Sequence, residues 1–210
     1  MIAIIDYGMG NPTSIRNMLG RLGHRAEMAR TPEEAAGADR IILPGVGAFD
    51  EGMTRLAELG WTDCLRSEAA VQDGRPLLGI CLGMQLLFPS SEEGKLPGLG
   101  LVNGAVLKFR FGAEIVPLPR IPHMGWRSIA TAATAPELFA GLEQDARFYF
   151  VHSYHCRCAN SAEVAAEADY GFRFICAVRR GRLFGVQFHP EKSHRYGMRL
   201  LDNFSRLPAT

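Results

Sequence analysis

Leu77-Leu78-Gly79-Ile80-Cys81-Leu82-Gly83-Met84-Gln85-Leu86-Leu87 joins two patterns at one cysteine. Upstream, residues 76–80 form a short apolar run of the length of a buried strand. Downstream, from about Leu82, the spacing is helical. Glycines two residues to either side of Cys81 leave the room that a sharp strand-to-helix turn requires. This is the cysteine counterpart of the Gly-x-Ser-x-Gly nucleophile elbow. Such a turn lifts the sulfur above the sheet edge and sets it at a helix N-terminus, where thiolate is favoured over thiol. It also points the Leu82 N–H at a developing oxyanion. A small buried cysteine between packing glycines has the same letters, so the elbow needs support from elsewhere in the chain.

Outward from the elbow, the N-terminal half alternates strand and helix. Residues 1–6, 24–28 (a weaker run) and 40–43 read as strands ahead of the one at 76–80. Residues 13–22, 32–36, 52–59 and 62–73 read as helices, with Thr31 before Pro32 fitting an N-cap and a first-turn proline. That order implies right-handed βαβ units and a mostly parallel sheet. In the second half, residues 105–109, 148–151, 162–168, 172–178 and 183–188 are strand candidates with short connections, which implies antiparallel additions. Residues 112–122 hold three prolines and read as irregular. A closing amphipathic helix over 195–206 places Met198, Leu201 and Phe204 on one face. The expectation is one α/β domain over residues 1–210, with a central mixed, mostly parallel sheet flanked by helices.

The support for the elbow is Gly185-Val186-Gln187-Phe188-His189-Pro190-Glu191-Lys192. A strand delivers His189 at its carboxyl end, where open α/β sheets place their sites. Glu191 follows two residues later, in reach to hold the imidazole in one tautomer. Cys81, His189 and Glu191 then satisfy the logic of a nucleophile, a base and an orienting acid. An isolated His-Pro-Glu is more often a solvated surface turn. Its joint occurrence with the elbow makes coincidence a weak explanation. His152 is a competing base, ranked second because no acid lies near it in sequence.

Composition narrows the classes further. The 210 residues are 47% hydrophobic and 21% charged, with a formal net charge of +1. That balance gives no broad field for nucleic acid or a membrane surface. The cluster Arg179, Arg180, Arg182 reads as a solvated turn. No run is long and apolar enough to span a bilayer, and Asp6 ends the first apolar run too early for a signal peptide. The expected location is cytoplasmic. Five cysteines in no scaffold spacing point to reduced thiols rather than disulfides. Cys156 and Cys158 lack a second pair for a zinc site, so no metal is expected. Gly8-Met9-Gly10 lacks the third glycine of a dinucleotide loop.

Several further motifs are Asp6-Tyr7-Gly8-Met9-Gly10-Asn11, Pro44-Gly45-Val46-Gly47-Ala48-Phe49, Ser90-Ser91-Glu92-Glu93-Gly94, Pro122-His123-Met124-Gly125-Trp126 and Phe150-Val151-His152-Ser153-Tyr154. With the elbow and residues 185–193, in this order, they resemble class I, triad-type glutamine amidotransferase domains over nearly the whole chain. The nearest branch is the one that pairs with a cyclase in histidine biosynthesis. The resemblance implies a flavodoxin-like fold and glutamine hydrolysis to glutamate and ammonia through a γ-glutamyl thioester, with no cofactor. It implies oxyanion donors at Leu82 and at Val46–Gly47, the latter after a peptide rearrangement. In the resting loop the Val46 carbonyl is expected to face the oxyanion site. Gln85, Ser153 and Tyr154 resemble the residues that hold the amino-acid end of glutamine. Asn11, Met124, Trp126, Tyr149 and Lys192 match positions at or near the docking face for a (β/α)-barrel cyclase in a heterodimer, which receives the ammonia. The chain departs from the pattern at Pro12, at His155, where a second aromatic is common, and at Phe172, where a small residue is usual. Glutaminases of other pathways, thiol hydrolases on the same fold and a non-catalytic binding subunit remain alternatives.

Overall fold

In the first strand, Ile2 and Ile4 turn to one face and Ala3 and Ile5 to the other, and all four are buried. A strand with both faces apolar belongs inside a sheet covered on both sides. The computed structural model, which describes residues 1–70 and 74–209, has this architecture. The first half runs β1 (Ile2–Ile5), α1 (Pro12–Arg21), β2 (Ala26–Ala29), β3 (Arg40–Leu43), α2 (Phe49–Glu58), α3 (Trp61–Ala70), β4 (Leu77–Ile80) and α4 (Leu82–Leu86). The second half runs β5 (Gly104–Lys108), β6 (His123–Thr131), β7 (Arg147–His152), β8 (Tyr154–Cys158), β9 (Val164–Asp169), β10 (Arg173–Arg180), β11 (Leu183–Val186) and α5 (His194–Ser205).

The sheet order is β2-β1-β3-β4-β11-β10-β9-β6-β7, with β5 and β8 pairing off this path and β8 bridging to β10. The segment β2-β1-β3-β4-β11 is parallel throughout. The remaining pairings are antiparallel. The fold is the expected α/β arrangement, with a mixed sheet parallel in its first half and antiparallel in its second. One face packs Ile15 and Leu19 of α1 and Leu200, Leu201 and Phe204 of α5. The other packs Phe49 and Leu56 of α2 and Trp61 and Leu65 of α3.

Local chemistry explains several boundaries. The Asn11 side chain accepts from the Ser14 N–H at 3.1 Å, and Pro12 takes the first helical position, so α1 starts with a satisfied cap. Pro12 therefore suits its place. The expected helix over 32–36 is a single 3-10 turn, Glu33–Ala35, with no side-chain cap from Thr31. The helix expected over 62–73 is seen as Trp61–Ala70, and residues 71–73 lie outside the described residues. In α5 the buried face is Gly197, Leu200, Leu201 and Phe204, and Met198 is only half-buried at its edge. Strands β6 and β8 add to those the sequence implies. Residues 112–122 form no regular element. The arginine cluster flanks the exposed turn between β10 and β11, as expected, with its side chains tied down: Arg179 pairs with Glu137 at 2.8 Å, Arg180 donates to the Leu101 carbonyl at 2.8 Å, and Arg182 donates to the Pro208 carbonyl. All five thiols are free. Among the described residues, no helix is long and apolar enough to cross a membrane.

Candidate active site

Register brings the two decisive stretches together. Val186 pairs with Ile80 at the carboxyl ends of the parallel strands β11 and β4, and the Cys81 N–H donates to the Val186 carbonyl at 2.8 Å. The next residue on each strand, Cys81 and Gln187, is thus its neighbour's neighbour across the sheet edge. Cys81 has φ 54 and ψ −109, a conformation that costs an L-residue about 1–3 kcal/mol and is held only where the surroundings enforce it. The glycines do the enforcing. A Cβ on Gly79 would lie 2.7 Å from the Gly83 carbonyl oxygen, and one on Gly83 would lie 1.9 Å from the Leu43 carbonyl oxygen. Helix α4 is only five residues long, so its dipole at the sulfur is short.

His189 lies three residues beyond β11, where its N–H donates to the Tyr149 carbonyl at 2.9 Å. Glu191 is carried by a 3-10 turn, Pro190–Lys192, beyond the end of the strand. The turn brings Glu191 Oε1 to 2.7 Å from His189 Nδ1. The carboxylate accepts, so Nδ1 carries the proton and Nε2 is left for the thiol. Both side chains are buried, and Nε2 has no hydrogen-bond partner. Burial alone lowers the imidazole's affinity for a proton. Interaction with the Cys81 sulfur and the Glu191 carboxylate outweighs it and raises the pKa to about 10. Ser193 braces the base: its hydroxyl donates to the His189 carbonyl at 2.6 Å and accepts from the Tyr149 N–H at 3.0 Å. His152, the rival base, has both nitrogens engaged. Nδ1 donates to the Tyr154 carbonyl at 2.7 Å, and Nε2 lies 3.0 Å from His123 Nδ1. Burial pushes its pKa down to about 3.

The loop after β3 faces the elbow. The Leu82 N–H donates to the Gly45 carbonyl at 3.3 Å. The Gly45 carbonyl thus occupies the donor assigned to the oxyanion. Gly45 is pinned, since a Cβ there would lie 2.7 Å from the Tyr7 hydroxyl and 2.8 Å from the Gly83 nitrogen. Gly47 has φ +127, a conformation open to glycine.

The family model of class-I glutamine amidotransferases matches residues 3–206. The chain belongs to this family. Among its relatives, imidazole glycerol phosphate synthase subunit HisH of Bdellovibrio bacteriovorus is 50% identical over 207 residues, covering 99% of this chain and 100% of that protein. Imidazole glycerol phosphate synthase subunit HisH 2 of Methanococcus maripaludis is 48% identical over 204 residues, covering 97% and 98%. A crystal structure of a glutamine amidotransferase superposes with a TM-score of 0.67 at 24% identity, covering 95% of this chain and 98% of the other, which is a likeness of fold.

In this class-I amidotransferase, a cleft of about 220 Å³ opens at the sulfur, lined by Val46, Gly47, Cys81, Leu82, Gln85, Ser153 and Tyr154 among others. The expected oxyanion and substrate residues thus share one cleft with the nucleophile candidate. His155 does not line it. Its ring packs at 4.9 Å on Phe109 and 5.3 Å on Phe172, so the two departures from the family pattern fill one another's space. The expected docking residues lie outside the cleft. Trp126 stacks on His194 at 5.3 Å and meets the Tyr149 ring edge-on at 5.9 Å, while Lys192 Nζ sits 6.0 Å over Tyr149. Met124 is 59% and Trp126 38% exposed, large apolar groups left in water. Asn11 is exposed at the head of α1. Sequence reasoning missed Ser193 and Gln187. Both stand inside residues 185–193, but nothing in their spacing shows which way their side chains bond.

Proposed function

We propose that residues 1–210 act as one glutamine amidotransferase domain, the glutaminase subunit of an imidazole glycerol phosphate synthase. The observation that carries this is the meeting of a strained Cys81 with the buried His189–Glu191 pair above two adjacent strand ends. The relatives named above support the choice of pathway.

In this reading the Cys81 thiolate attacks the side-chain amide carbon of glutamine, and His189 holds the displaced proton on Nε2. His189 passes that proton to the leaving nitrogen, which departs as ammonia and leaves a γ-glutamyl thioester on Cys81. His189 then takes a proton from water, the hydroxide attacks the thioester, and glutamate leaves. Glu191 orients the imidazole and stabilises its charged form. Gln85, Ser153 and Tyr154 hold the amino-acid end of the substrate. No metal or organic cofactor enters these steps.

Oxyanion stabilisation requires the Gly45–Val46 peptide to turn over. Turning withdraws the Gly45 carbonyl from the Leu82 N–H and presents the Val46 N–H, giving two donors where the resting loop offers an acceptor. Losing one such donor costs about 10²–10³-fold in rate, so the resting subunit is a poor glutaminase. The energy for turning comes from contacts made only in the active complex. Met124, Trp126, Tyr149, Lys192 and Asn11 supply them against a (β/α)-barrel cyclase, in a heterodimer whose cyclase consumes the ammonia before solvent protonates it. There it converts the phosphoribulosyl-formimino aminoimidazole carboxamide nucleotide to imidazole glycerol phosphate and aminoimidazole carboxamide ribonucleotide.

The test is steady-state glutamine hydrolysis by the purified subunit, then with the cyclase, then with cyclase and acceptor nucleotide. Activity should rise at each step. Cys81→Ala should abolish glutamine-dependent synthesis and leave ammonia-dependent synthesis by the complex largely intact. Turnover of glutamine by the Ala variant removes Cys81 as the nucleophile. Full activity of the subunit alone removes the switch but not the triad. No response to the cyclase points to a glutaminase of another pathway.

A further inference from the structure

Behind Cys81 runs a line of amides whose direction is fixed at one end. Gln85 Nε2 donates to the Tyr154 backbone carbonyl at 3.3 Å and to Gln187 Oε1 at 3.1 Å. Gln187 Nε2 donates in turn to Cys81 Sγ at 3.8 Å. A backbone carbonyl only accepts, so Gln85 must offer it the NH₂ group. Gln187 must then present its oxygen to Gln85, and its own NH₂ group is left facing the sulfur. Reversing Gln85 sets oxygen against oxygen, and reversing Gln187 sets one NH₂ group against the other. Gln187 is 0% and Gln85 4% exposed, so water is not at hand to repair the mismatch. The backbone of Gln187 is anchored as well, its N–H donating to the Cys176 carbonyl at 2.8 Å.

We propose that Gln187 is a hydrogen-bond donor to the Cys81 thiolate, and that Gln85 is a positioning residue that keeps this amide from reversing. Hydrogen bonds to an ionised acceptor are roughly twice as strong as those between neutral groups. A buried donor already aimed at the sulfur therefore favours thiolate over thiol. An oxygen in the same place would favour the thiol. His189 receives the thiol's proton, and Gln187 steadies the anion left behind without exchanging a proton itself. Since both N–H groups of Gln85 are committed, a substrate in the cleft meets only its Oε1, an acceptor suited to the α-ammonium group of an amino acid. The proposal rests on Cys81 being the nucleophile.

The experiment is the pH dependence of Cys81 alkylation by iodoacetamide on the full chain, with Cys81→Ala giving the background from the other thiols. Gln187→Met keeps the volume and removes the donor. Its alkylation midpoint should rise by about one pH unit, a tenfold fall in thiolate at a fixed pH below the midpoint. In the complex, kcat for glutamine should fall with it and KM should change less. Gln85→Met does not touch the sulfur, yet it frees Gln187 to rotate and should shift the midpoint in the same direction. Gln187→Asn serves if the methionine variant fails to fold, with the same shift expected because the shorter amide falls short of the sulfur. Wild-type midpoints in folded Gln187 variants overturn the proposal. A shift with Gln187→Met but none with Gln85→Met overturns the positioning part alone. Glutamine turnover by Cys81→Ala is the separate failure, that of the underlying nucleophile assignment.

Discussion

In the proposed mechanism His189 moves a proton and Glu191 aims the ring that carries it. The 2.7 Å contact fixes the proton on Nδ1, so the Glu191 carboxylate serves as acceptor. Glu191→Gln keeps an acceptor oxygen and loses the charge. It should fold normally and cost less rate than His189→Ala, whose loss should fall near the ~10²–10⁴-fold typical of a general base. Paired kinetics of the two variants in the complex check this, and an equal or greater loss with Gln would make Glu191 more than an orienting group. Gly83 poses a steric question instead. A methyl there meets the Leu43 carbonyl oxygen at 1.9 Å, and backbone cannot step aside as a flexible side chain does. Gly83→Ala should destabilise the chain by at least the ~1–3 kcal/mol of ordinary overpacking. A wild-type urea midpoint would show that the turn relaxes cheaply.

The elements differ in how openly their sequences declare them. The parallel strands are short apolar runs, and β3 has the bounds its letters imply. Strand β6 carries Gly125 and alternates exposed and covered residues beside prolines, so it reads as a turn motif. Strand β8 is polar, and Ser153 alone separates it from β7. There the chain changes partners, since β7 pairs with β6 while β8 pairs with β5 and β10. The corner holds Ser153 in the cleft, which neighbouring residues cannot signal. At α1, the N-cap bond from Asn11 to the Ser14 N–H is a local device with a local cost. Asn11→Ala should lower stability by about 1 kcal/mol, and Asn11→Asp should retain most of it. Thermal unfolding of both variants separates this role from partner docking. Equal loss in Ala and Asp would deny the cap.

Across the whole molecule, two buried histidines tie stability to pH. Burial holds His152 down to about 3, against the pull of the Tyr154 carbonyl, and holds His123 down to about 4, with Arg127 adding to the effect. In the unfolded chain each takes up a proton near pH ~6.5. Below that pH the unfolded state binds more protons than the native state, so stability falls as pH falls. The loss begins near the unfolded value and continues to about 4 for His123 and about 3 for His152. Each histidine contributes a slope of up to about 1.4 kcal/mol per pH unit. Between pH ~6.5 and ~5 the carboxylates add little, because their ordinary pKa values lie near 4. Urea unfolding at a series of pH values should show the decline. A flat profile over that interval would mean that the pair gains protons while folded. The proposed activating transition belongs to the same scale: Val46 and Gly47 line the cleft, while Trp126 and Lys192 lie outside it, so in that proposal partner contact acts through the intervening packing.

Letters alone singled out Cys81, His189 and Glu191 as the candidates for one site. Glycine spacing, apolar runs and a proline-bounded acid are local features, and local sterics translate them directly into an elbow, strands and a turn. The parallel first half and the antiparallel second followed for the same reason. The tertiary structure alone decided that β4 and β11 lie side by side, which brings Cys81 and Gln187 together across a separation of 106 residues. It also decided that the Gly45 carbonyl occupies the Leu82 N–H, that the Gln187 amide turns its NH₂ group to the sulfur, and that His152 is spent on His123. Strand order and the polarity of a hydrogen bond are set by whichever groups meet through space. A periodicity carries no record of which partner will be there.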